Sequence, residues 1–114
     1  MFLTRAQALE YHRQMWRDMQ KDLGDCPDWN DRMFYKLRWC EKKFPKESIW
    51  GSCFLCEYAS QTIGSCRGCP IDWGGCGVCC QKWHDGVGID WRTSAISEIL
   101  ALPEKERINV NDSM

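Results

Sequence analysis

Seven of the chain's nine cysteines lie between Cys53 and Cys80, in CFLCEYASQTIGSCRGCPIDWGGCGVCC. Cys53/Cys56 and Cys66/Cys69 are both C-x2-C pairs, and two such knuckles can aim four thiolates at one point, as tetrahedral structural zinc requires. Each knuckle needs a tight turn, for which Gly68 and Pro70 on either side of Cys69 are suited. Disulfides are the competing use of cysteine, but an odd count clustered in C-x2-C pairs favours metal in a reducing compartment. At 114 residues, with seven Trp and few branched aliphatics, the chain is expected to form one domain whose core combines large aromatics with a metal staple.

Spacing leaves the ligand set open. The leading arrangement is one Zn2+ held by Cys53, Cys56, Cys66 and Cys69. A second keeps three of these and recruits Cys76. A third adds another zinc from Cys76, Cys79 or Cys80, and His84, although adjacent Cys79 and Cys80 rarely aim at the same ion. An iron-sulfur cluster also takes four thiolates, yet the compact cysteine run of ferredoxins is missing. Four thiolates close a zinc site against substrate, and the H-x-E…P-C-x2-C order of the zinc deaminases is absent. The expected metal is therefore structural and the protein is not expected to be an enzyme.

The rest of the chain reads as helix. Thr4 and Gln7 form a capping-box pair, with Leu3 placed to staple on Ala8. Leu9, His12, Met15, Trp16, Met19 and Leu23 then recur at helical spacing as far as Gly24, which suits a left-handed C-terminal position. His12 is expected to pack at the core edge or face water, since it has no second ligand at i+4. A second helix starts near Trp29 to Asp31 and stops at Pro45. Its expected buried stripe is Met33, Leu37, Cys40 and Phe44, with Cys26 and Cys40 read as buried small hydrophobes. The opposite face would then show Arg32, Lys36 and Lys43 to solvent, in a segment from 32 to 46 with six cations against Glu41. A short helical piece is expected over Glu57 to Gln61, with Tyr58 and Phe54 against the first helix. Ile71 to Trp73 reads as a local extended piece, and a last helix runs from about Thr93 or Ser94 to Leu102. The fold class is small, mainly α and metal-stabilised, with little or no β-sheet. It is laid out as a helical hairpin (1–45), a cysteine-rich zinc-knuckle module (46–90), a C-terminal helix (91–103) and a polar, frayed tail (104–114).

Several words in the chain carry a resemblance: A-x3-YHRQMW at Ala8 to Trp16, CFLCEYA at Cys53 to Ala59, C-x2-CPIDW at Cys66 to Trp73, and ALP at Ala101 to Pro103. In this order they resemble a family of small uncharacterised cysteine-rich proteins of bacteriophages and prophage-carrying Gram-positive bacteria. The resemblance covers nearly the whole chain and implies a phage-encoded accessory protein of the host cytoplasm. CGVCCQKWH departs from it by adding Cys79 and Cys80.

No run of 18 apolar residues is present and the start lacks a signal-peptide pattern, so a cytoplasmic protein without membrane contact is expected. Two functions compete. One is a protein-binding module that displays Trp residues to a host protein, Trp being enriched at binding hot spots. The other is a nucleic-acid binder using the basic face of the second helix, with Trp39 or Trp50 for stacking. In either case the partner-binding residues are expected to be Arg32, Lys36, Trp39 and Lys43.

Overall fold

The computed structural model describes residues 2–47, 49, 53–62, 68–74 and 89–105. Its elements are helices α1 (Arg5–Leu23), α2 (Trp29–Lys43), α3 (Phe54–Thr62) and α4 (Ile96–Leu100). No β-sheet is formed among the described residues. A single described bridge joins Ile71 to Glu104, so the extended piece after Cys69 pairs with the chain beyond α4.

α1 begins as its sequence dictates. The Thr4 hydroxyl accepts from the Gln7 backbone while the Gln7 side chain accepts from the Thr4 backbone, satisfying two donors that a helix start leaves open. Gly24 closes the helix at φ 90°, ψ 179°. That positive φ favours glycine, but the backbone is extended in ψ rather than left-handed helical. Leu3, Ala8, Leu9, His12, Met15, Trp16 and Met19 are all buried, as the stripe requires, whereas Leu23 at the last turn is exposed.

The core is aromatic. Trp16, Trp73 and Trp91 are buried, with His12 edge-on to Trp16 and Trp73 and Trp16 tilted against Trp91 at 6.4 Å. A second cluster places Phe54 of α3 within 5.3 to 5.8 Å of Tyr11, Trp39 and Phe44, joining α3 to α1 and α2. α3 starts three residues before the expected turn, which brings Cys56 onto a helix. Gln61 clamps it to the chain start, accepting from Leu3 N–H and donating to Leu3 C=O, both at 2.8 Å. Asp25 holds α4 by accepting from the Ser97 N–H and hydroxyl.

α2 has the expected bounds but a different rotation. Asp28 caps it by accepting from Asp31 N–H at 2.9 Å, and Phe44 ends it just before Pro45. The buried residues are Arg32, Lys36 and Cys40, while Met33 and Leu37 are exposed and Phe44 only half-buried. The expected stripe is thus corrected by roughly a quarter turn toward the cations.

Two interactions account for this choice. Arg32, 1% exposed, donates to Trp91 C=O at 2.6 Å and to Pro27 C=O at 2.8 Å. Lys36, 6% exposed, lays its ammonium 4.0 Å from the Trp91 ring centre and 5.7 Å from that of Trp16. Long cationic side chains cover apolar surface with their stems, and carbonyl acceptors and ring faces receive the charge inside. Cys26 is also a correction, being exposed on the α1–α2 connection, whereas Cys40 is buried as expected.

The tail is tied down at its start. Glu104 accepts from Arg5 at 3.1 Å and Arg13 at 2.9 Å, and Lys105 C=O accepts from Arg5. Residues 106–114 of the expected frayed tail lie outside the described residues.

Candidate binding groove and cysteine cluster

Between α1 and α2 lies an open groove of about 600 Å³, lined by Gln14, Asp18 and Asp22 from α1 and by Tyr35, Arg38, Trp39, Lys42 and Lys43 from α2. The spacing explains the arrangement. Gln14, Asp18 and Asp22 are four apart, as are Tyr35, Trp39 and Lys43, so each set projects from one face of its helix. Across the groove Trp39 Nε1 donates to Asp18 at 2.8 Å and the Tyr35 hydroxyl donates to Asp22 at 2.6 Å. Burial, helped by the Asp22 bond, pushes the Tyr35 phenol well above its usual range, so it stays a donor. The two acids of the α1 wall are therefore engaged, while the α2 wall presents cations. Lys43 rests over the Trp39 ring at 5.7 Å, and neither Arg38 nor Lys42 takes part in an ion pair among the described residues.

Of the four residues expected to meet a partner, the structure brings Trp39 and Lys43 together here and takes Arg32 and Lys36 into the core. Those two cations are not a docking row, because their charges face carbonyls and indole rings. Arg38 and Lys42 hold the exposed positions that the expectation assigned to them. They were visible in the sequence as part of the same basic run, and only the helix rotation was needed to select them.

The cysteine region gives a partial picture. Cys53 and Cys56 are both free thiols, and a hydrogen bond between them, together with burial, holds the Cys53 pKa well above its usual value. Cys69 is buried, its pKa raised by that burial, and lies close enough to Cys53 for their charges to interact. Lys36 sits near enough to Cys53 and Cys40 to favour a negative charge on each. Burial nonetheless pushes the Cys40 thiol up to about 11, which suits an inert core residue. Among the described residues no three His, Cys, Asp or Glu side chains are grouped to hold a metal ion. Cys66, the fourth ligand of the leading arrangement, lies outside the described residues, as do Cys76, Cys79, Cys80, His84 and Trp50. Cys53, Cys56 and Cys69 are thus neighbours at the start of α3 and the turn before Ile71, but as placed they do not form a three-ligand group.

These helices, grooves and buried aromatics define a small, mainly α-helical protein. No protein-family model, curated protein or solved structure matches the chain. No helix among the described residues is long and apolar enough to cross a membrane.

Proposed function

We propose that this is a zinc-stabilised protein-binding module that takes an acidic segment of another protein into the α1–α2 groove. The observation that carries the reading is the α2 wall, where Trp39 and Tyr35 sit beside Arg38, Lys42 and Lys43 and Arg38 and Lys42 have no ion-pair partner among the described residues. A half-buried Trp beside unpaired cations supplies both an apolar anchor and electrostatic attraction. Zn2+ held by Cys53, Cys56 and Cys69, with Cys66 completing the set, would supply a structural cross-link that ties the start of α3 to the segment around Cys69. An iron-sulfur cluster on the same thiolates is the alternative cofactor, and would show as visible absorption of the purified protein. The resemblance to phage-encoded proteins extends the proposal to a host protein of the cytoplasm as the partner.

Nucleic acid is the competing ligand of this groove, because cations and rings also suit phosphates and bases. The test is fluorescence titration of a labelled Asp/Glu-rich peptide containing one aromatic residue, beside a Lys-rich peptide and a single-stranded oligonucleotide of equal length. The acidic peptide is expected to bind, to weaken with salt, and to lose at least about fivefold in affinity in Arg38→Glu/Lys42→Glu. Equal binding of the two peptides, or preference for the oligonucleotide, overturns the reading.

A further inference from the structure

Outside the groove, α2 shows solvent a second surface. Trp29, Met33, Phe34 and Leu37 are 45%, 44%, 60% and 47% exposed, on a helix whose other sides are occupied by the core contacts of Arg32, Lys36 and Cys40 and by the groove residues Tyr35, Trp39 and Lys43. Trp29, Met33 and Leu37 are four apart and Phe34 lies between them, so the four form a ridge along most of the helix. Together they form an exposed apolar ridge, and the largest such patch on a soluble protein is often functional.

The charges bordering the ridge indicate what covers it. Its N-terminal end is flanked by exposed Asp28 and Asp31, its C-terminal end by exposed Arg38 and Lys42 with Glu41 among them, leaving that end net positive. An acidic ligand would meet repulsion at one end and a basic ligand at the other. A second α2 lying antiparallel brings Asp31 of each chain toward Arg38 of the other and opposes the two helix dipoles, whereas a parallel pair stacks like charges.

We propose that the ridge is the interface of a homodimer in which two copies of α2 pack antiparallel across a two-fold axis near Met33 and Phe34. Trp29, Met33, Phe34 and Leu37 of each chain form the apolar seam, and the Asp31–Arg38 contact, made twice, sets the direction. Such a contact is isologous and closes on itself, so it ends at two chains. One helix face per chain lies at the low end of stable interface sizes, so the dimer dissociates on dilution. Arg38 belongs to both surfaces, lining the groove and flanking the ridge, whereas the apolar seam residues lie outside the groove, so Phe34→Lys tests this proposal apart from the acidic-segment reading.

The test is sedimentation equilibrium of the full chain from about 1 to about 300 µM, the range in which a small interface shifts between free and bound. The mass is expected to rise with concentration from 13.4 kDa toward twice that value. Phe34→Lys is expected to weaken association at least about tenfold while its far-ultraviolet circular dichroism matches the parent, because the side chain is exposed. Asp31→Arg alone and Arg38→Asp alone are each expected to weaken self-association. An equimolar mixture of the two associates more tightly than either, because both contacts are restored across the mixed pair. A single-chain mass across the whole range overturns the proposal. So does a dimer unaffected by Phe34→Lys, and a mixture that gains nothing over its components overturns the antiparallel arrangement.

Discussion

His12 sits in the core with its Nε2 unpartnered among the described residues, packed edge-on to Trp16 and Trp73. Burial, with Lys36 and Arg13 adding repulsion, lowers its pKa from 6.5 to about 3. The folded protein therefore holds a neutral imidazole where the unfolded chain would take up a proton. Stability from this site is complete above pH 6.5 and is lost as pH falls from there toward about 3, with a slope of up to about 1.4 kcal/mol per pH unit. Glu104 and Asp25, both held below their ordinary values by hydrogen bonds, add acid sensitivity only nearer the carboxylate range. Denaturant unfolding between pH 6.5 and 5 is thus expected to show falling stability in the parent and a flatter profile in His12→Phe, which keeps a ring between the two tryptophans. Parallel profiles would show that His12 is protonated in the fold. The sequence placed His12 on the apolar stripe, but its depth depends on Trp73, 61 positions away, which local periodicity does not report.

At the scale of elements, boundaries were far more legible than orientation. Thr4, Gln7 and Gly24 announce α1, and Asp28 and Pro45 bracket α2, because caps and breakers act within a few residues of themselves. The rotation of α2 was not legible. Its apolar residues Trp29, Met33, Phe34, Leu37, Cys40 and Phe44 span so much of the helix that they leave several faces eligible for burial. The decision falls to Arg32 and Lys36, whose acceptors, Trp91 C=O and the Trp16 and Trp91 rings, come from elsewhere in the chain. The groove follows from that rotation, so Trp39 and Lys43 could be named from the sequence while Arg38 and Lys42 could not be preferred to the two buried cations. Removing the lock tests this account. Arg32→Ala strands the buried Trp91 carbonyl and the half-buried Pro27 carbonyl and is expected to cost about 2 to 4 kcal/mol in denaturant unfolding, whereas Lys43→Ala, exposed beside Trp39, should stay within about 0.5 kcal/mol of the parent. Similar losses from both would mean that the core does not depend on the Arg32 contacts.

For the whole molecule, the proposed metal and the aromatic core share a boundary. Cys53 immediately precedes α3 and Cys56 lies on it, while Phe54 between them joins α3 to Tyr11, Trp39 and Phe44. Structural zinc contributes on the order of 10 kcal/mol to the folding of small modules, comparable with the net stability of an entire domain. The purified protein is accordingly expected to contain zinc by elemental analysis, and chelation to abolish cooperative thermal unfolding. Cys66→Ser should lose the metal while Cys80→Ser retains one ion per chain. A sharp transition surviving complete metal removal would overturn the structural role, and equal damage from the two substitutions would indicate a second centre. The clasp of Arg5 on Glu104 and Lys105, with Arg13 on the same carboxylate, has a consequence in time. During synthesis α1 emerges nearly 100 residues ahead of the groups that hold its start, which at about 5 to 20 residues per second is a delay on the order of 5 to 20 seconds. For most of that interval the nascent α1 carries Trp16 without Trp91 to cover it, so its final docking waits on the segment that carries Trp91.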